Sequence, residues 1–598
     1  MAKNNSMCMK VREWFSIFLS PIVTNFPVFF MTFMLWSVET VRNLHGRMVT
    51  YDPTVTFFDL FCRFTIIFLF AYLFTALATI INRVWLKILI YLFVIFIFSF
   101  YLFLRIVFDL SIYPHIFVLL AETNQNESRE FINSFFLSPS GITTFSIIVA
   151  VITVAFLVEI FYNKDYLLPI KQKIKNNTFF LTVSVIILLF GVVSSRTYFD
   201  LFARNTTDEV GWWNGSNKTP KDPLSLIAYS FHGIHILDEE QKTFENLMQR
   251  IDKNISCSIN DSLNLVLVIG ESFIKSHTPL YGYPLNTTPN LIQERNSRNL
   301  FVFNDVISPF AATSTTIKNI LCTNSISDGE SWNVCYYFPA IFSIAGYDVY
   351  FWDNQKDMSP DANFSFALNS FLYNNVAAES YTAVNEKSYE YDESLVCSFD
   401  DVNLENEHNL IIFHLMGQHV DPAARFPHTE DFLTFTKDSI IRNEKYMTDD
   451  KRQSIADYDN ATLYNDYVMS EIFNRFRNTN TVLVYFSDHG EEVYDYRDSR
   501  GRVNDNMSKN QVKYQFEIPF MIWCSDAFKE KFPEKLEMIK TSLNRPFMTD
   551  NLCQIMFALG GVKCPYYYKE RDLLSPYFKP RKRLINGNCD YDQIMNAK

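Results

Sequence analysis

The chain is expected to fold as a membrane domain of five helices joined to an extracytoplasmic α/β domain built on a largely parallel sheet. Three observations predict this. Long apolar stretches crowd the chain before residue 200. After residue 254, short apolar runs end repeatedly in polar residues, and longer helix-compatible segments separate those runs.

At 598 residues the chain is too long for one ordinary core. Its composition, 48% hydrophobic and 20% charged, averages two unlike halves. The net charge of -12 excludes a phosphate-backbone binder, which needs clustered Lys and Arg to release counterions. Nucleic acid is therefore not an expected partner.

The apolar stretches run over 14–38, 64–82, 88–104, 131–158 and 176–195, each free of Lys, Arg, Asp and Glu. A hydrocarbon core needs about 20 helical residues, so each is read as a span, the third slightly short. The first has no small-residue cleavage site after a short apolar core and reads as an anchor. Lys3, Lys10 and Arg12, then Arg83 and Lys87, then Lys164, Lys171, Lys173 and Lys175 mark the cytoplasmic flanks. Five spans from a cytoplasmic start leave everything after Ser195 outside. The expected division is 1–197 for the membrane domain, 198–253 for an interfacial linker with helices, and 254–598 for the catalytic domain.

Between the third and fourth spans, Glu122 to Glu127 form a polar, acidic loop at the outer surface. It reads either as a solvated loop or as a site where Asn124 and Glu127 hold a lipid headgroup amine. Tyr198, Phe199, Trp212 and Trp213 suit the membrane interface, where an aromatic ring keeps an apolar body and a polar edge satisfied together.

In the second half, strands are expected at 263–269, 348–351, 410–413 and 481–486. Ligand sites of open α/β sheets gather beyond the carboxyl ends of the strands. The first run stops at Gly270-Glu271-Ser272, and the last at Ser487-Asp488-His489-Gly490-Glu491. Carboxylate oxygen with imidazole nitrogen is a donor set suited to zinc. The third run ends in His414-Leu415-Met416-Gly417-Gln418-His419, two of only ten histidines in the chain. Between Ser308 and Thr316, small and hydroxyl residues lead into an apolar helix pattern. That pattern places a hydroxyl at a helix N-terminus, either as a nucleophile made acidic by a metal or as a simple N-cap.

Together these motifs resemble the phosphoethanolamine transferases of the alkaline phosphatase and sulfatase superfamily, and the resemblance spans nearly the whole chain. It implies an alkaline-phosphatase-like catalytic domain with one Zn2+ held by Glu271, Thr316, Asp488 and His489. Thr316 is chosen over Thr315 because the family spacing from nucleophile to helix cysteine fits Thr316 to Cys322. The family motif His-x-Met-Gly-Ser-His matches 414–419 with Gln418 in place of serine, which gives His414 and His419 substrate-binding roles. His419 is in addition the group expected to stabilise phosphate or move a proton. One departure stands out: members acting on lipid A carry a further histidine about a dozen residues past Asp-His-Gly, where this chain has Gly501 and Asn504.

The implied reaction takes phosphoethanolamine from phosphatidylethanolamine to lipid A, lipopolysaccharide core or a periplasmic glucan, through a phosphoethanolamine-threonine intermediate. The expected setting is a monomer in the bacterial inner membrane, multi-pass, with the catalytic domain in the periplasm. Rival readings are a glycerol-phosphate transferase of the lipoteichoic acid synthase kind and a catalytically inactive membrane binding module. A sulfatase activity is disfavoured because no Cys-or-Ser-x-Pro-x-Arg motif occurs. The chain has ten cysteines and no CxxC, and Cys322 with Cys335 is the first disulfide pair to test, buried free thiols being the alternative.

Overall fold

The structure is a computed structural model that describes residues 18–42, 53–80, 84–108, 112, 116–117, 132–161, 223–252, 254–356, 368–404, 406–419, 421–502 and 508–597. These residues divide into two compact units, one ending at Ile234 and the other beginning at His235.

The first unit is helical: α1 (Phe26–Arg42), α2 (Pro53–Ile80), α3 (Val84–Phe103), α4 (Pro139–Phe161) and α5 (Pro223–Met248), whose last turns enter the second unit. Val28, Met31, Leu35 and Trp36 of α1 pack with Phe70, Tyr72 and Phe74 of α2 and with Phe98 of α3. Among the described residues two helical stretches, Ile88–Val107 and Pro139–Leu157, are long and apolar enough to cross a membrane. A third crossing exists if Phe18–Thr24 and Phe26–Val38, bent by 92° at their junction, form one span. The bend has a local cause, since Pro21 and Pro27 each lack the N–H that a continuous helix requires. Asn25 at the corner donates through Nδ2 to Thr79 Oγ1 at 2.7 Å. The segment 64–82 contributes a shorter apolar helix, Ile67–Thr79. The fifth expected span (176–195), the loop with Asn124 and Glu127, and the aromatics from Tyr198 to Trp213 lie outside the described residues.

The second unit is built on a seven-stranded sheet: β1 (Leu263–Gly270), β2 (Leu300–Phe303), β3 (Asp348–Asp353), β4 (Ala383–Val384), β5 (His408–His414), β6 (Thr481–Ser487) and β7 (Phe520–Cys524). Their order is β2-β7-β6-β1-β5-β3-β4. β6, β1, β5, β3 and β4 run parallel, while β7 pairs antiparallel with both β6 and β2 at one edge. All four expected strands are present. The edge pair Leu300–Phe303 and Phe520–Cys524 adds an antiparallel margin that short apolar runs alone did not single out.

Both faces of the sheet are covered, which is why its strands are apolar without alternation. On one face Leu265, Leu267 and Ile269 meet Ile317, Ile320 and Leu321 of α6 (Thr313–Leu321) and Leu552, Ile555 and Met556 of α8 (Leu552–Gly560). On the other, Val266 and Val268 meet Val468, Met469, Ile472 and Phe473 of α7 (Asp449–Phe476). With every strand end held in register, the carboxyl edge of β1, β5, β6 and β3 becomes a fixed platform. All eight described cysteines are free thiols, so Cys322 and Cys335 are not joined.

Candidate active site

The platform is centred on Glu271, one residue past β1. Neighbouring parallel strands stop level with it: Ile269 is paired with His414 on one side and with Phe486 on the other. Asp488 and His489 therefore emerge beside Glu271, and Asp488 N donates to Gly270 O at 2.9 Å. Ser272 turns sharply, with φ of 56°, a left-handed conformation uncommon outside glycine. That turn aims its N–H at Asp488 Oδ1, 3.1 Å away. Such strain persists only where surrounding contacts hold it, and here it lies within the chemical site.

Glu271, Asp488 and His489 are fully buried, and each offers a ligand atom within 4.8 Å of the others. His489 Nε2 lies 3.4 Å from Glu271 Oε1 and 3.1 Å from Asp488 Oδ2. His489 Nδ1 contacts Gly490 O at 2.8 Å, an arrangement that suits an Nδ1–H donor and leaves the lone pair on Nε2 facing the cluster. Gly490 is needed for close approach, since a Cβ there would stand 2.0 Å from Tyr514 O. Burial and the Arg502 guanidinium together lower the His489 pKa to about 3, so the imidazole is neutral at physiological pH.

The two carboxylates titrate as a pair. Asp488 is pushed well above the ordinary carboxylate range by burial and by the negative charge of Glu271. Burial acts on Glu271 in the same direction, but His489, His419 and Arg502 hold it below that range. Asp488 Oδ2 is buried without a hydrogen-bond partner. Two dry carboxylates, one with an unsatisfied oxygen, beside a neutral imidazole make a donor set that fits a divalent cation.

The hydroxyl joined to this cluster is that of Thr313. Its Oγ1 donates to Glu271 Oε2 at 2.9 Å and lies 3.2 Å from His489 Nε2. Thr313 is the first residue of α6, whose N-cap, Ala312, is extended and gives no side-chain cap. The expected residue, Thr316, sits elsewhere: its Oγ1 donates to Phe310 O at 3.1 Å in a fully buried position. Three residues of helix carry it about 4.5 Å further along the axis, which removes it from the strand ends.

Of the two histidines after β5, His414 is buried with Nδ1 2.9 Å from Asp353 Oδ1. Burial disfavours its charge, but Asp353 keeps its pKa above the ordinary value. Its Nε2 has no partner, and neither has Nδ1 of His419. Burial lowers the His419 pKa to about 4 against the pull of nearby Glu271. The loop between them is fastened by Asp392, which accepts from the N–H groups of Met416 and Gly417, each at 2.9 Å. Gly417 has φ of 51°, and a Cβ on it would meet the Glu271 backbone at 2.7 Å.

Three further residues meet the site. Gln355 donates to Glu271 Oε2 at 3.2 Å and to Leu415 O at 2.8 Å. Asp353, at the end of β3, orients His414; a polar Asp-Asn-Gln after an apolar run was a visible signal for both. Arg502 contacts His489 Nε2 and donates to Ala311 O at 3.1 Å. It lies 13 residues past His489, and no pattern in the sequence pointed to it.

The Sulfatase family model matches residues 263–554. Phosphoethanolamine transferase EptC of Escherichia coli K12 is 28% identical over 430 residues, which cover 68% of this chain and 71% of that protein. The crystal structure of the C-terminal periplasmic domain of EptC from Escherichia coli aligns with a TM-score of 0.50 and 28% identity, covering 57% of this chain and 96% of that one. The integral membrane protein lipooligosaccharide phosphoethanolamine transferase A from Neisseria meningitidis aligns with a TM-score of 0.57 over 94% of this chain and 99% of its own. At 18% identity that last likeness is one of fold alone. Residues 263–554 thus carry a Sulfatase domain, and over about two thirds of its length the chain is similar to a phosphoethanolamine transferase.

Proposed function

We propose that this chain moves phosphoethanolamine from phosphatidylethanolamine to an envelope glycolipid or glycan, with Thr313 as the nucleophile and Zn2+ held by Glu271, Asp488, His489 and the Thr313 hydroxyl. The observation that carries this reading is the Thr313 hydroxyl, 2.9 Å from a buried carboxylate and 3.2 Å from a neutral imidazole. Bound there, zinc would lower the pKa of the hydroxyl and offset the charge of the carboxylates.

Thr313 Oγ attacks the donor phosphorus, the bond from phosphorus to the diacylglycerol oxygen breaks, and a phosphoethanolamine-threonine ester forms. An acceptor hydroxyl or phosphate then attacks that ester and returns the threonine. His419, neutral through burial, is the group we assign to pass the proton from Thr313 to the leaving diacylglycerol oxygen. His414, oriented by Asp353, supports the substrate side of the same wall. Asn124 and Glu127 remain assigned to the ethanolamine amine. The apolar N-terminal helices fit a membrane anchor, and we place the protein as a multi-pass monomer in the inner membrane, its catalytic domain in the periplasm.

The test is a half-reaction. Full-length protein loaded with zinc and given phosphatidylethanolamine without acceptor is expected to gain a phosphoethanolamine mass on the peptide that begins at Thr313. No adduct, or an adduct on a residue outside 313–316, refutes the reading.

A further inference from the structure

We propose that Arg502 grips the phosphate of the transferred group and is a catalytic residue of this site, an assignment that rests on the transferase reading above. Its guanidinium touches the cluster. Nη1 reaches both His489 Nε2 and the carbonyl of Ala311, the residue before the N-cap of α6. Thr313 Oγ1 lies 3.2 Å from the same His489 nitrogen. A phosphoryl group on Thr313 would therefore form within reach of this guanidinium.

The placement of Arg502 is built in. The chain from Glu492 to Gly501 closes on itself: Gly501 N donates to Glu492 O at 2.9 Å, and Arg497 Nη2 donates to Gly501 O at 2.8 Å. Arg442 ties this hairpin down by donating to the carbonyls of Tyr494 at 2.9 Å and Asp495 at 2.7 Å. Nε2 of His277 lies 3.0 Å from Asp495 Oδ1, a second anchor. Arg502 leaves the closed end, and Glu491, 3.5 Å from its Nε, steers the fork inward.

Charge explains the need. A phosphodiester approaching Thr313 must come close to Glu271 and Asp488, both buried, and like charges at short range in a dry site are costly. A divalent cation neutralises the two carboxylates and leaves the phosphate uncompensated. Arg502 supplies the missing charge, and a planar fork of donors suits phosphate oxygens bidentately.

The experiment titrates inorganic phosphate into zinc-loaded full-length protein by calorimetry, with metal content and Tm measured alongside. Arg502→Ala is expected to keep its metal and weaken phosphate binding by roughly tenfold or more. Arg502→Lys, which keeps the charge without the fork, should fall between. If Arg502→Ala lowers Tm, Arg502→Gln is read in its place. Unchanged phosphate affinity at full metal content overturns the proposal, and so does loss of metal, which would make Arg502 a support of the cation site. Failure of the wild type to form the threonine adduct would instead sink the transferase reading, so the two failures are separable.

Discussion

Thr313 Oγ1 donates to Glu271 Oε2 across 2.9 Å, tying the first turn of α6 to the end of β1. Thr313→Ala should therefore abolish transfer and the covalent adduct while leaving the fold intact. Thr316→Ala loses the hydrogen bond to Phe310 O and a buried methyl, for a cost of about 2 kcal/mol, and should keep most activity. Kinetics and adduct mapping of both variants decide between the two threonines. An active Thr313→Ala would return the nucleophile to Thr316.

Metal uptake is expected to release protons. Burial and the charge of Glu271 favour the protonated form of Asp488, and a cation that binds the carboxylate favours the ionised one. Affinity should fall as pH falls, and metal binding should release protons. Calorimetry in buffers of different ionisation enthalpy measures this, and a release of zero would contradict the paired-carboxylate account. Asp488→Ala and His489→Ala should each lose the metal by elemental analysis.

Gly417→Ala should damage the cation site without touching a ligand. The new methyl meets the Glu271 backbone at 2.7 Å, and the residue must keep a left-handed φ. Displacing a ligand through its neighbour typically costs about 10- to 100-fold in metal affinity. Wild-type affinity in this variant would mean that the loop yields easily.

His277 sets a pH limit on stability. It is buried, with Nδ1 2.8 Å from Asp459 Oδ1 and Nε2 3.0 Å from Asp495 Oδ1. Burial disfavours its charge, but the two carboxylates raise its pKa to about 10. Burial lifts Asp459 too, against the pull of His277 and of the hydrogen bond from Tyr283. The folded pKa exceeds the unfolded value of about 6.5, so this stabilisation is complete below about pH 6.5 and is lost as pH rises through about 10. Tm should decline over that window in the wild type and less steeply in His277→Gln. Parallel profiles would remove His277 from the account.

The sheet and the residues of the buried cluster were legible because they share a cause. Apolar runs buried on both faces stop where polar residues begin, so Glu271, Asp488 and His489 stood at visible strand ends. The hydroxyl that meets Glu271 was harder to single out, because four hydroxyl residues in succession, Thr313 to Thr316, satisfy the same local pattern and only the start of α6 separates them. Arg502 was invisible, since its position depends on how a polar hairpin folds back. The span count was only partly legible in physical terms, because Pro21 and Pro27 bend the first apolar stretch and length alone does not foresee a corner.

The parallel order that sets β1 between β5 and β6 also fixes when the site can exist. Ser272 and Asp488 meet from positions 216 residues apart, so no local segment can assemble the ligands. A growing chain that has emerged as far as α7 already carries Glu271 and Thr313, but the partners on β6 are still unmade. Metal capture must wait for the last central strand to dock, and an ion bound earlier would be held by a different and weaker set of groups. A loaded cluster would thus be a timestamp on synthesis: its occupancy would report chains in which β6 has docked beside β1 and exclude those that stopped short of it.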